Sequence, residues 1–253
     1  MLLTVTDTAR IAHGIWQLTL TGTFPYDTVQ PGQFLMIRIG AGLEHVLRRP
    51  VSIAAVTEDS LAIVFRVVGK GTQWLSERKA GDGLDVLGPL GTGFPLPPAK
   101  ARVLIVGGGI GAPPLYFLAE RVQPLSDRLD VALGFQTQAD SFWVDRFAVL
   151  GNLKLATDDG SLGLKGTVID AVESLAADGL KWDYVYACGP IPMLKVVKQC
   201  FASQEVQGYV SLEERMACGV GACYGCVCQT GGGSGTRRVC ADGPVFDWNG
   251  VVL

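Results

Sequence analysis

Histidine is almost missing from this chain. Only His13 and His45 occur in 253 residues, and neither lies in a recognisable motif, so histidine acid–base chemistry has no foothold. A basic excess is missing too. The 21 Lys and Arg against 24 Asp and Glu give a net charge of −3, which is no footprint for nucleic acid. The first seven residues, Met-Leu-Leu-Thr-Val-Thr-Asp, have no cationic stretch ahead of an apolar one and do not read as a secretory leader. The longest apolar stretch, residues 103–119, is interrupted by glycine and proline from Gly107 to Pro114, so it is not a membrane span. These absences predict a cytoplasmic globular protein, long enough for two domains and a small third. Mean hydropathy is nonetheless +0.30, a value that buried cofactors or a sizeable partner surface would explain. No internal repeat is visible. One low-complexity patch, Gly-Gly-Gly-Ser-Gly at 231–235, reads as a loop tip.

Cysteine, by contrast, is patterned. Four of the seven cysteines, Cys218, Cys223, Cys226 and Cys240, follow Cys-x4-Cys-x2-Cys with a distant fourth. That is the plant-type spacing for a [2Fe–2S] cluster, in which two irons and two sulfides take four thiolates. Three would come from one loop and the fourth from a separate segment. Gly219, Gly221 and Gly225 allow positive φ and close backbone approach, so that N–H groups can point at the sulfurs. Structural zinc also takes four cysteines, but usually from paired short knuckles rather than one glycine-rich loop and a lone fourth residue. Disulfides fit less well, given the odd count and a chain far larger than a stapled mini-domain. Cys228 reads as packing on an outgoing strand. A cluster of this kind moves single electrons, so the rest of the chain should supply something to exchange them with.

Residues 1–98 read as an antiparallel β domain. Short β-rich runs recur at 15–20, 34–39, 51–56, 61–68 and 84–87, with turn signals at 30–32, 39–42, 57–60 and 80–83. The pattern leaves barrel and sandwich open. Three segments stand out here. Arg48-Arg49-Pro50-Val51-Ser52 offers guanidinium forks for phosphate and a hydroxyl for a ring atom, although surface arginines at a strand start would look the same. Val64-Phe65-Arg66 follows. Gly69-Lys-Gly71-Thr72 opens an expected helix at 72–78, a ready anion site. Each is weak alone, and their order is what carries weight. Pro-Leu-Pro-Pro at 95–98 reads as a stiff linker.

Residues 99–206 change period. Expected strands at 103–106, 129–135, 153–156 and 184–187 alternate with helices from 112, at 167–176 and at 193–201, which implies a parallel sheet with ligands at the carboxyl ends of its strands. Met193, Val197, Cys200 and Phe201 are expected to face inward. Gly107-Gly108-Gly109-Ile110-Gly111 suits a pyrophosphate at a helix start, but the turn is not a clean G-x-G-x-x-G and no acid follows the second strand. The absence of Lys or Arg between Gly134 and Val144 favours NAD over NADP. Cys188, before Gly189 and Pro190, lies where a nicotinamide ring could stack. It reads as a small residue shaping that pocket rather than as a nucleophile.

Arg49-Pro-Val-Ser52, the glycine turn continuing to Leu115, and the cysteine loops at 211–226 and 238–246 together resemble the ferredoxin–NADP reductase superfamily. Within it the chain resembles, over nearly its full length, the electron-transfer subunits of class 1B dihydroorotate dehydrogenases. The resemblance implies a flavin-binding β-barrel at 1–98 holding FAD, an NAD-binding domain at 99–206 and a [2Fe–2S] domain at 207–253. It places Arg49, Pro50, Val51, Ser52, Val64, Phe65 and Arg66 along the flavin, and Gly71 and Thr72 at its pyrophosphate. It places Gly108, Gly109, Gly111, Cys188 and Gly189 along NAD+/NADH, and Cys218, Cys223, Cys226 and Cys240 on the cluster. The superfamily often has Tyr where Val51 stands. The implied partner is an FMN-containing dihydroorotate dehydrogenase catalytic subunit, in a heterotetramer of two copies of each, serving pyrimidine biosynthesis. No dihydroorotate site is expected on this chain. Two alternatives stay open: the flavin and iron–sulfur subunit of an NAD(P)H-dependent ferredoxin oxidoreductase or sulfide dehydrogenase, and a zinc-bearing interaction protein on a flavin-reductase fold.

Overall fold

A computed structural model describes residues 1–253 except 41, 43, 44, 178 and 234. The expected turn at 39–42 and the glycine patch at 231–235 therefore each contain one residue outside the described set. Six strands close into a barrel in the order β1-β2-β5-β4-β3-β6. They are β1 (Leu2–Ala12), β2 (Ile15–Thr21), β3 (Phe34–Ile37), β4 (Arg49–Val56), β5 (Ser60–Arg66) and β6 (Gly83–Leu90). Leu3, Val5, Leu18, Leu20, Ile37 and Ile63 point inward at alternate positions, which removes every open edge and decides for a barrel. β1 was not among the expected runs. Only Leu3 and Val5 of its eleven residues are buried, so its alternation is too short to read. Helix α1 (Lys70–Ser76) starts two residues earlier than expected, because the Thr72 hydroxyl accepts the Val68 and Gly69 N–H groups at 2.9 and 3.2 Å and caps it from within.

The second layer is a seven-stranded sheet in the order β10-β9-β8-β7-β11-β12-β15. Its members are β7 (Ala101–Gly108), β8 (Ser126–Phe135), β9 (Asn152–Thr157), β10 (Leu164–Lys165), β11 (Tyr184–Cys188), β12 (Gln207–Ser211) and β15 (Val245–Asp247). All pair in parallel except β15, which runs antiparallel to β12. Helices α2 (Ala112–Val122), α3 (Val144–Ala148), α4 (Val168–Ala177) and α5 (Ile191–Cys200) connect them. The sheet thus runs past residue 206, and the chain after α5 is sewn into it. Gly208 makes this possible, since a Cβ there would overlap the Trp248 ring. On α5, Leu194 and Val197 are fully buried and Phe201 follows them inward, while Met193 and Cys200 are only half-buried, a correction to the expected face. The five-residue α3 went unexpected, being too short to show a helical period.

Among the described residues no helix is long and apolar enough to cross a membrane. A hairpin, β13 (Val227–Gln229) with β14 (Thr236–Arg238), completes the chain. Cys228 lies on β13 and packs half-buried against the core, as read from the sequence. The cysteine loop sits between barrel and sheet. Gly219, at φ 72°, has no room for a side chain against Met36 of β3, and Cys226 and Cys240 belong to the same core as Leu104 and Val185.

Asp130, fully buried on β8, anchors that core at its far end. It accepts hydrogen bonds from Arg128 at 2.7 and 2.9 Å, Asn152 at 2.8 Å and Trp182 Nε1 at 2.8 Å. Burial pushes its carboxyl upward, and the bonds from Arg128, Asn152 and Trp182 together outweigh that and hold it below the usual range. A lowered folded pKa means stability that is full above the unfolded pKa and lost as pH falls through the folded one. Asp130→Ala is therefore expected to cost about 3 kcal/mol at neutral pH. Urea unfolding should show the gap to wild type closing on acidification; a gap constant with pH would mean the carboxylate's charge is not what counts.

Candidate functional site

Two cavities meet between the layers. One, of about 320 Å³, is walled by Pro50, Val51 and Ser52 of β4, by Val64, Phe65 and Arg66 of β5, and by Thr72, Cys188 and Met216. The other, of about 510 Å³, crosses the carboxyl ends of the parallel strands at Gly108, Gly134 and Gly189 and reaches the start of α4 at Thr167. They share Arg66, Ile110 and Glu213. The barrel strands and the glycine turn, more than 30 residues apart in sequence, thus form one continuous groove.

The expected residues divide. Pro50, Val51, Ser52, Val64, Phe65, Arg66, Thr72 and Cys188 line the first cavity, and Gly108, Gly109 and Gly189 line the second. Arg49 and Gly71 line neither. Arg49 Nη1 donates to the Leu47 carbonyl at 2.6 Å, and its stem covers Gly71, where a Cβ would lie 2.8 Å from Arg49 Nε. The Thr72 hydroxyl is committed to its own helix cap, donating to the Gly69 carbonyl at 3.0 Å. Gly111 also stands behind the wall; a side chain there would overlap the Cys188 carbonyl, so its smallness lets α2 press against β11. Gly109 takes the left-handed φ of 54° and brings the turn to within reach of Arg66.

Arg66 is the cation of the groove. Its side chain lines both cavities and makes no hydrogen bond among the described residues, and its Nε is buried without a partner. Cys188 is buried, and burial pushes its thiol far above the ordinary range, with the nearby Glu213 carboxylate adding to it. A thiol so protonated is no nucleophile, which agrees with a role in shaping the pocket. Glu213 was not singled out from the sequence. It lies two residues past the end of β12, and nothing local distinguishes it from Glu214. Its side chain is exposed to the groove that both cavities share, and desolvation by the protein atoms around it raises its pKa.

The cysteine loop begins at the same wall, two residues after Met216. Its backbone turns inward as the glycines predicted, with Gly219 at φ 72° and Gly221 at φ 78°, but the third left-handed position is Tyr224 at φ 56° and not Gly225. Four backbone N–H groups point at sulfur: Val220 to Cys218 at 3.4 Å, Gly221 to Cys240 at 3.1 Å, Gly225 to Cys223 at 3.4 Å and Cys240 to Cys226 at 3.4 Å. The N–H groups of Val220 and Cys223 pull the Cys218 thiol down to about 6, whereas burial pushes Cys240 up to about 12. The thiols fall into two contacting pairs, Cys218 with Cys223 and Cys226 with Cys240. Among the described residues no three His, Cys, Asp or Glu converge as a single ion would need. Arg238 locks the fourth cysteine to the loop. It holds Asp242 at 2.8 and 3.0 Å, depressing that carboxyl to about 2, and donates to the Gly221 carbonyl at 3.1 Å.

A closed barrel opening onto the carboxyl edge of a parallel sheet, with a thiol loop beside the opening, defines a ferredoxin–NADP reductase-type flavin and nucleotide fold carrying an iron–sulfur domain. A solved structure described as an NADH-dependent reduced ferredoxin-NADP oxidoreductase superposes with TM-score 0.88 at 30% identity, covering 100% of this chain and 90% of that one. A ferredoxin NADP+ reductase from Neisseria gonorrhoeae shares the fold at TM-score 0.68 and 16% identity, over 80% of this chain and 90% of that one. The profile of the iron-sulfur cluster binding domain of dihydroorotate dehydrogenase B matches residues 213–252. The electron transfer subunit of dihydroorotate dehydrogenase B (NAD(+)) from Geobacillus kaustophilus is 45% identical over 99% of this chain and 98% of its own length. That from Fusobacterium nucleatum is 42% identical over 96% and 95%. The chain belongs to the family of dihydroorotate dehydrogenase B electron transfer subunits.

Proposed function

We propose that this chain carries electrons from an FMN-containing dihydroorotate dehydrogenase catalytic subunit to NAD+ in pyrimidine biosynthesis, in the cytoplasm, as half of a heterotetramer of two copies of each subunit. Residues 1–98 hold FAD, residues 99–206 hold NAD+/NADH, and residues 207–253 hold a [2Fe–2S] cluster on Cys218, Cys223, Cys226 and Cys240, with β12 and β15 doubling as the sheet's edge. When bound, the cluster supplies single-electron steps and the flavin supplies hydride exchange with NAD+. The observation that carries the reading is contiguity: the two cavities share Arg66, Ile110 and Glu213, and the cysteine loop starts from their wall at Met216.

The protein's part is placement. Pro50 to Ser52 and Val64 to Arg66 form the flavin's wall, and Arg66 offers an unused donor to an anion. The glycine turn lets a pyrophosphate approach backbone. Cys188 lines the first cavity as a small, un-ionised side chain and would help shape the flavin pocket. Cys223 is exposed, flanked by Val220 at 53% and Tyr224 at 61% exposure. That apolar rim around a cluster ligand is the face for the catalytic subunit, because electron transfer needs close approach there. Val220→Asp should weaken co-purification with that subunit about tenfold while leaving the isolated chain's flavin spectrum intact; unchanged co-purification would move the interface elsewhere.

The test is an anaerobic visible and EPR spectrum before and after NADH. Flavin bands and a reduced [2Fe–2S] signal are expected. A flavin spectrum with bound zinc and no iron signal would overturn the cluster, and no chromophore in folded protein would overturn the flavin. The bifurcating oxidoreductase fold match keeps a ferredoxin-linked partner as the second reading. Co-purification with an FMN subunit that oxidises dihydroorotate decides against it.

A further inference from the structure

The sheet order β9-β8-β7-β11-β12 lays the second cavity across five strand ends. Its flavin end is fixed by Arg66, Ile110 and Glu213, the residues it shares with the first cavity. Its far end is formed by Gln136, Asp158 and Thr167, so on the proposed reading the adenosine half of the dinucleotide lies there. The acid expected after β8 is missing, but β8 and β9 pair with Phe135 opposite Thr157, so Gln136 and Asp158 leave neighbouring strand ends. The Asp158 N–H donates to the Phe135 carbonyl at 3.1 Å and pins the backbone. Gly134 lets α4 close this end, since a Cβ would come within 2.7 Å of Val168.

Neighbouring acids are already occupied. Asp159 accepts from the Ser161 N–H at 2.9 Å and hydroxyl at 2.6 Å, and Asp170 accepts from the Thr167 N–H at 2.7 Å. Asp158 makes no side-chain hydrogen bond or ion pair among the described residues, and it alone of the three lines the cavity. The only cation lining it is Arg66, at the other end; Lys165 of β10 does not line it.

We infer that Asp158 sets the preference for NAD+ over NADP+, by accepting a hydrogen bond from the adenosine ribose hydroxyls and opposing a 2′-phosphate. A carboxylate at this place does the work that the ordinary fingerprint assigns to an acid after the second strand, supplied here from the adjacent strand. A 2′-phosphate would meet a like charge at an end of the cavity that no cation lines.

The inference rests on the dinucleotide reading of this cavity, and calorimetric titration of the flavin-loaded chain with NAD+ and NADP+ separates the two. Asp158→Asn should raise the NADP+ to NAD+ affinity ratio about tenfold, and Asp159→Asn should leave it unchanged. The same shift should appear in the KM ratio for NADPH and NADH. A ratio unmoved by Asp158→Asn, or moved equally by Asp159→Asn, overturns the assignment while the nucleotide site stands. Wild-type protein that binds neither nucleotide overturns both.

Discussion

Cys223→Ser should stop electrons from the catalytic subunit and leave NADH reduction of the flavin nearly untouched. The asymmetry follows from where Cys223 sits. It is exposed at the loop tip, whereas Cys226 and Cys240 are buried in the core. Its sulfur accepts the Gly225 N–H at 3.4 Å and touches the Cys218 thiol, contacts that a serine oxygen can also make, so the fold loses little. Ligation is different. Iron binds thiolate, and a serine hydroxyl does not ionise near neutral pH in the way a thiol does. Dihydroorotate-dependent NAD+ reduction by the assembled enzyme should fall to the level of cluster-free protein, with the [2Fe–2S] EPR signal lost or altered. Stopped-flow bleaching of the flavin by NADH should keep its rate, since the flavin and nucleotide cavities are walled by other residues. Cys228→Ser is the control. Cys228 packs half-buried on β13 and should change neither readout. Equal loss of both activities in Cys223→Ser would make the loop a scaffold rather than a conduit.

Local chemistry was legible and meeting points were not. The cysteine spacing announced its own loop because all but one ligand lie within nine residues. The barrel strands showed wherever alternation ran long enough, and β1 failed because two buried residues in eleven make no pattern. Tyr224 took a left-handed turn that glycine chemistry assigned to Gly225; the neighbour's identity cannot reveal which of two residues bends. Arg49 and Arg66 looked alike in sequence. Only the fold shows that Arg49 turns back to Leu47 while Arg66 reaches both cavities. Glu213 and Asp158 were invisible for the same reason. Each stands just past a strand end, and its neighbours are set by sheet order rather than by sequence distance.

Arg66 carries the second large effect. Arg66 is half-buried, lines both cavities and makes no side-chain hydrogen bond among the described residues, so its guanidinium is the cation left for an anion in the groove. Its fork can give a phosphate two charge-assisted bonds, of which alanine gives none. Arg66→Ala is therefore expected to weaken flavin binding about a hundredfold. Dialysis followed by fluorescence of released flavin would measure it. Arg66→Lys should restore only part of that, because a lysine keeps the charge but lacks the planar fork. Arg49→Ala should do less than either, since its Nη1 is already engaged by the Leu47 carbonyl and its side chain lines neither cavity. An intact [2Fe–2S] EPR signal in Arg66→Ala would show that the fold survives, because the cysteine loop takes none of its hydrogen bonds from Arg66. Flavin retained by Arg66→Ala as by wild type, or lost more readily from Arg49→Ala, would place the anion on the other arginine and reverse the division drawn between them.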